Sequence, residues 1–471
     1  MRSGLDGLDR GVIGPVRTLD PARPVAPGLT VHRGRVAALE PPPRGAGCRL
    51  PPGAVVVPGF EDPHLHLLAM AAARLSVDAG PAAAPDLAAL GRVLAAGAAE
   101  RPEVAWLRAT GFDDALVAER RLPGAALLDA AAGRRPLVVH HAAGRVVLLN
   151  TAARCRLGVD GDGVLDSRDP RLAAVPPLGP AELAAGLGAV RDALLAAGVV
   201  AVTDATATNG RAEVELLDGF AATALAPLEV TVLPSARALG DLGGARPGSR
   251  LGTARLGPAA KVVVEGDEPG DLHALIAAAR RDGWPVALHV TDVDGVDRAL
   301  GALRAVPALP PGRRDRLEHL SLCLPEQVAQ VAASGAAVVT QPAFLHARGA
   351  KYAEQLGEVE RAWLYRVRSL LDAGVTVAAS SDAPVVDASP LASMAAAVDR
   401  RGLAPGEAVD AATALDLVTR SAAAVSGTGG GVLRAGGPAA FVVLDADPCR
   451  VGAEEVRVLA TVAARPGAPA V

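Results

Sequence analysis

Three features predict an α/β protein built as a (β/α)8 TIM barrel. Short Val-, Ala- and Leu-rich runs alternate with Ala-rich helical stretches, eight such runs can be counted, and a histidine or aspartate stands at the end of several of them. The expected strands are 54–60, 199–204, 228–233, 261–265, 285–289, 316–319, 336–341 and 375–380. Helices are expected over 271–281, 293–306, 325–333 and 361–373, with an amphipathic stretch near 213–223. Strand–helix alternation favours a parallel sheet covered by helices. A doubly wound open sheet is the structural rival.

Both ends of the chain depart from this alternation. Residues 29–32 and 35–39 flank Arg33-Gly34 and read as a hairpin, and Pro41-Pro42-Pro43 then breaks the chain. After about residue 425 the chain is Gly-rich, and β-prone runs follow at 439–444 and 456–462. These lack partners nearby in sequence, so residues 1–57 and 426–471 are expected to form one small β-sandwich. The barrel then covers 58–425. Residues from about 85 to 180 do not alternate cleanly and are read as an insertion after barrel strand 1.

Composition excludes several classes. The 471 residues, half of them hydrophobic, suffice for one large core with accessories. A net charge of −4 without a basic stripe excludes a polyanion partner, so no nucleic acid is expected. The four cysteines (Cys48, Cys155, Cys323 and Cys449) are far apart and read as free thiols. Apolar runs such as 193–202 are too short for a membrane span, which needs roughly 18 residues. A cytoplasmic protein with a small-molecule substrate is expected, and aromatic content of 2% favours a small or aliphatic one.

Only nine histidines are present. His64 and His66 follow the first run in Glu61-Asp62-Pro63-His64-Leu65-His66, and a period of two points both imidazoles to one side. His289 ends the fifth strand, His319 the sixth, and Asp382 follows the eighth in Ser380-Ser381-Asp382-Ala383-Pro384. Barrel active sites lie at C-terminal strand ends, so these five residues are expected at one mouth. Such nitrogen and oxygen donors suit a divalent metal, Zn2+ first, with Fe2+ or Mn2+ as alternatives. An open position would lower the pKa of a water towards ~7, and a carboxylate at strand eight could take its proton. Lys261 sits among valines in the fourth strand; an ion pair with a carboxylate or a carbamylated amine would each resolve its burial.

These residues resemble the amidohydrolase superfamily, in particular amidohydrolase family 3, the group of N-substituted formamide deformylases and exoenzyme-regulatory-type proteins. The likeness covers nearly the whole chain: Val57-Pro58-Gly59-Phe60 through His66, Gly111-Phe112-Asp113-Asp114, Asn150-Thr151-Ala152, Arg316-Leu317-Glu318-His319, Gln341-Pro342 and Ser381-Asp382-Ala383-Pro384. The resemblance implies one or two metal ions held by His64, His66, Lys261 (often carbamylated), His289, His319 and Asp382. Asp382 would also be general base and proton shuttle, and relatives are often dimers. Arg145 stands where the family usually has His, the loop after the lysine strand is short, and His140-His141 are extra histidines. The implied activity is hydrolysis of an amide, formamide or cyclic amide C–N bond by metal-activated water, with Arg145 and Gln341 as substrate contacts. The rivals are ester or lactone cleavage or deamination at the same site, and a non-catalytic regulatory barrel.

Overall fold

The computed structural model describes residues 8, 10–142, 144, 146–167, 169–264 and 269–463. It divides into two compact units, residues 1–66 with 191–471, and residues 67–190. The first unit holds two parallel sheets of barrel type. One contains β1 (Phe60–Leu65), β2 (Val199–Asp204) and β3 (Glu229–Val232), extended by the short strand Arg255–Leu256. The other runs in order through β4 (Ala260–Val263), β5 (Val286–Val290), β6 (Arg316–His319), β7 (Ala337–Thr340) and β8 (Val377–Ala379).

These strands are almost wholly buried, as expected where helices cover a parallel sheet. The first turns of the intervening helices carry ordinary signals: Asp292 caps Val293–Arg304 through the Gly295 N–H, and Pro325 opens Pro325–Ser334. The expected helix over 361–373 is instead two short helices, Glu358–Arg361 and Val367–Asp372. Between them the Tyr365 N–H donates to the Ser321 carbonyl, and Tyr365 adopts a φ of +41°, a value no helical residue has.

The apolar run 54–60 is not one barrel strand. Val55–Pro58 pairs antiparallel with Phe441–Leu444, and the barrel strand starts at Phe60. Gly59 is the point of transfer: its N–H donates to the Ala440 carbonyl, while that of Phe60 donates to Gly198. A Cβ at Gly59 would lie 2.5 Å from a Val200 methyl, so only glycine fits where the chain changes sheet. Continuous burial of both segments erased any boundary in the hydrophobic pattern.

Strands from both chain ends share a seven-stranded sheet, ordered Val458–Val462, Phe441–Leu444, Val55–Pro58, Gly11–Arg17, Val25–His32 and Arg35–Ala38, with Cys48–Arg49 also paired to Gly11–Arg17. Its core includes Leu29, Val56 and Phe441. The hairpin Val25–His32/Arg35–Ala38 turns at Arg33 and Gly34, both at positive φ, the geometry that matches strand twist in a two-residue turn.

The second unit carries its own five-stranded sheet, in the order Val164–Asp166, Val146–Leu149, Leu137–His141, Leu107–Phe112 and Val77–Asp78. It packs a core of Leu90, Leu94, Phe112 and Leu137. No helix among the described residues is long and apolar enough to cross a membrane.

Candidate active site

The six residues singled out as metal donors come together, five of them at or just past the C-terminal ends of their strands and Lys261 from the start of β4. His66 Nε2 lies 3.0 Å from Asp382 Oδ1, and His64 Nε2 lies 3.6 Å from the same oxygen. Lys261 Nζ stands 3.4 Å from His64 Nε2. The His319 ring centroid is 4.8 Å from that of His64 and 4.3 Å from that of His289. Backbone pairing seats the ends of β1 and β8 beside each other: the Asp382 N–H donates to the His64 carbonyl, and the His66 N–H to that of Ala383. Arg145 lies outside the described residues.

Strand geometry alone would not aim all of these groups inward. Successive side chains of a strand alternate faces, so Glu318 and His319 should diverge. His319 has a φ of +70° and Leu320 of +47°, and this left-handed turn brings both residues 318 and 319 to His64. Asp382, at +58°, is turned in the same way. Such conformations are costly for residues other than glycine and concentrate where a site over-determines them.

Each imidazole contacted by Asp382 is held from behind. His64 Nδ1 lies 2.5 Å from Glu318 Oε2, His66 Nδ1 is 3.0 Å from Thr206 Oγ1, and His319 Nδ1 is 2.9 Å from Gln341 Oε1. His64 and His66 present Nε2 to Asp382, whereas His319 approaches that carboxylate through Nδ1, 3.9 Å from Oδ2. Among the described residues, His319 Nε2 is buried without a hydrogen-bond partner, a vacant donor position of the kind a metal ion fills.

Electrostatics agree with that use. Burial, reinforced by the nearby Lys261 ammonium, pushes His64 down to about 4, and burial likewise drives His319 well below its ordinary value, so both rings are neutral as metal ligands must be. Burial opposes charge on Asp382 as well, but the His66 hydrogen bond and the facing imidazoles outweigh it and hold the carboxyl below the usual range. Burial lowers Lys261 to about 8 against the pull of Glu318 and Asp382. Of the two resolutions for this lysine, the ion pair is not found among the described residues: its polar contact is His64.

Gln341, expected at the substrate, is fully buried, and its amide is held between His319 and Ser380. The amide thus contacts the same His319 nitrogen that lies nearest Asp382. Sequence reasoning did not single out Glu318, Arg316 or Thr206. Arg-x-Glu inside an otherwise apolar strand was a signal of the same kind as Lys261, since both side chains are buried charges.

The pattern of the amidohydrolase family matches residues 52–464. An N-substituted formamide deformylase of Arthrobacter pascens is 29% identical, over 94% of each chain. Among solved structures, an uncharacterised metal-dependent hydrolase of Pyrococcus horikoshii OT3 superposes with a TM-score of 0.77 at 22% identity, covering 94% of this chain and 99% of that one. The zinc complex of an atrazine chlorohydrolase from Arthrobacter aurescens TC1 superposes with a TM-score of 0.58 at 16% identity, over 97% and 94%. With most of its length matched on a fold of TIM-barrel type, the chain belongs to the amidohydrolase family.

Proposed function

We propose that the protein hydrolyses a C–N bond of a small amide, formamide or cyclic amide in the cytoplasm, using one or two divalent ions, Zn2+ first and Fe2+ or Mn2+ as alternatives. The observation that carries this reading is the convergence of His64, His66, Lys261, His289, His319 and Asp382, with three imidazoles pinned through Nδ1 and His319 Nε2 left without a partner. The ion would supply Lewis acidity to a water and to the substrate carbonyl. Asp382 is held in its charged form and faces the Nε2 atoms of His64 and His66, whereas Glu318 lies behind His64 and is locked to Arg316, so Asp382 takes the proton of the attacking water and returns it to the leaving nitrogen. His66 and the neutral His64 and His319 position the centre. A fraction of the Lys261 amine is neutral near pH 8 and can add to CO2, releasing one proton and forming a carbamate that would bridge two ions. Four free cysteines accord with a reducing compartment.

The same reading takes the two parallel sheets as one closed barrel. Support comes from both seams, where Lys261 N–H donates to the Pro234 carbonyl and Asp382 N–H to that of His64. The sheet of both chain ends would fold over the Leu29, Val56 and Phe441 core as a small sandwich.

The deformylase relative selects the first substrates to try. Purified protein would be analysed for metal and assayed on N-substituted formamides, amides, cyclic amides, esters and lactones, before and after chelation. Turnover of a C–N substrate that is lost with the metal and restored by zinc supports the proposal. Turnover of esters or lactones alone moves the reaction to a C–O bond, and absence of both metal and turnover overturns it.

A further inference from the structure

We infer that Arg316 and Glu318 form a positioning pair that sets the tautomer and donor strength of His64, and through it the metal affinity of the site. The inference rests on the metal-site reading above.

Arg316 and Glu318 are two apart on β6 and so share a face. Arg316 Nε donates to Glu318 Oε1 at 2.7 Å, and Nη2 to Oε2 at 3.1 Å. This is the bidentate geometry in which guanidinium and carboxylate lock each other. Oε2 also receives His64 Nδ1 at 2.5 Å. Arg316, Glu318 and His64 are each at most 1% exposed, so no bulk solvent competes for these bonds.

Arg316 is itself anchored. Its Nη2 also donates to the carbonyl of Pro63, the residue before His64, and Nη1 to that of Val425. The guanidinium therefore fixes the carboxylate and the backbone leading into the histidine together. A carboxylate can only accept, so the imidazole must carry its proton on Nδ1, leaving the Nε2 lone pair directed at Lys261 and Asp382. The negative charge behind the ring makes Nε2 a stronger donor.

His319 has a neutral amide, Gln341, in the corresponding place. The two rings stand 4.8 Å apart, yet only His64 has an ion pair behind it. The pair also adds no net charge to the barrel interior, which a lone carboxylate would do at great cost.

The test compares zinc affinity of wild type, Glu318→Gln, and the double variant Arg316→Met with Glu318→Leu, by competition with a chromophoric chelator. Glu318→Gln keeps an acceptor but strands the Arg316 charge and can lose the fold. The double variant replaces both charges with apolar side chains of similar length and keeps the measurement meaningful. We expect each folded variant to bind zinc roughly 10- to 100-fold more weakly than wild type. The histidine 15N spectrum of the metal-free double variant is expected to lose one Nδ1–H tautomer seen in wild type. Wild-type zinc affinity in a folded variant, or an unchanged tautomer in the double variant, overturns the inference while leaving the metal site intact. Failure of wild type itself to bind zinc or another divalent ion overturns the metal reading and the inference with it.

Discussion

Among the described residues, two clusters have the residue types of a metal site, and they differ in what stands behind them. At the barrel mouth, His64, His66 and Asp382 are joined by Lys261, His289 and His319. In the inserted unit, Asp113, Asp114 and His141 also bring their donor atoms within 4.8 Å of one another. There, His141 Nε2 lies 2.9 Å from Asp114 Oδ1, and the Asp114 side chain is 41% exposed. At the mouth, Thr206, Glu318 and Gln341 orient three rings, and a buried nitrogen is left without a partner. In the inserted unit, the His141 Nε2 that faces both carboxylates is already engaged by Asp114. Residue type therefore selects candidates, while the number of convergent donors and the partners behind them make a site.

The largest test of that contrast is metal content. His64→Ala should lose the bound metal and all detectable turnover, whereas His141→Ala should retain wild-type stoichiometry by elemental analysis. Loss of metal in the second variant would break the comparison.

Next, Asp382→Asn should lower kcat about 1,000-fold, because an amide cannot take the proton of the attacking water. Asp114→Asn should leave kcat within about twofold, since that side chain is 41% exposed and its contact is to His141. Steady-state kinetics on whichever substrate is identified decide this.

A smaller effect sharpens the role of the groups behind the rings. Gln341→Leu removes the acceptor at His319 Nδ1 and should weaken zinc binding roughly tenfold in chelator competition. Unchanged affinity would favour the substrate contact expected for Gln341 instead.

The last test concerns stability alone. Glu61 on β1 is buried, with Thr428 Oγ1 2.8 Å from its carboxylate oxygens, and burial pushes its pKa from 4.5 up to about 8. The folded state therefore holds this proton more tightly than the unfolded chain. The stability it confers is complete below about pH 4.5 and is lost as pH rises towards 8. Glu61→Gln should flatten that decline, by at most on the order of 5 kcal/mol. Thermal melts of both proteins between pH 5 and 9 that run parallel would remove Glu61 as the cause.

Much of this was legible in the chain. The alternation of buried runs and helices located seven barrel strands closely, since a strand covered on both faces must be apolar along its length. It failed at 54–60 for the same reason: two consecutive strands in different sheets are equally buried, and only Gly59 marks the join. His64, His66, His289, His319 and Asp382 were readable because strand ends place them, and Lys261 because a lysine among valines is conspicuous.

The sequence by itself determined which donors stand at the ends of which strands, and in what order. Tertiary structure alone decided how they are aimed. Glu318 meets His64 across 254 positions of chain, and Thr206 meets His66 across 140. The left-handed backbone at His319 and Asp382, unfavourable as local conformations, persists in the assembled barrel. Periodicity describes a residue's own strand; a tautomer is set by whichever partner the tertiary fold brings to the other nitrogen, and no local pattern carries that information.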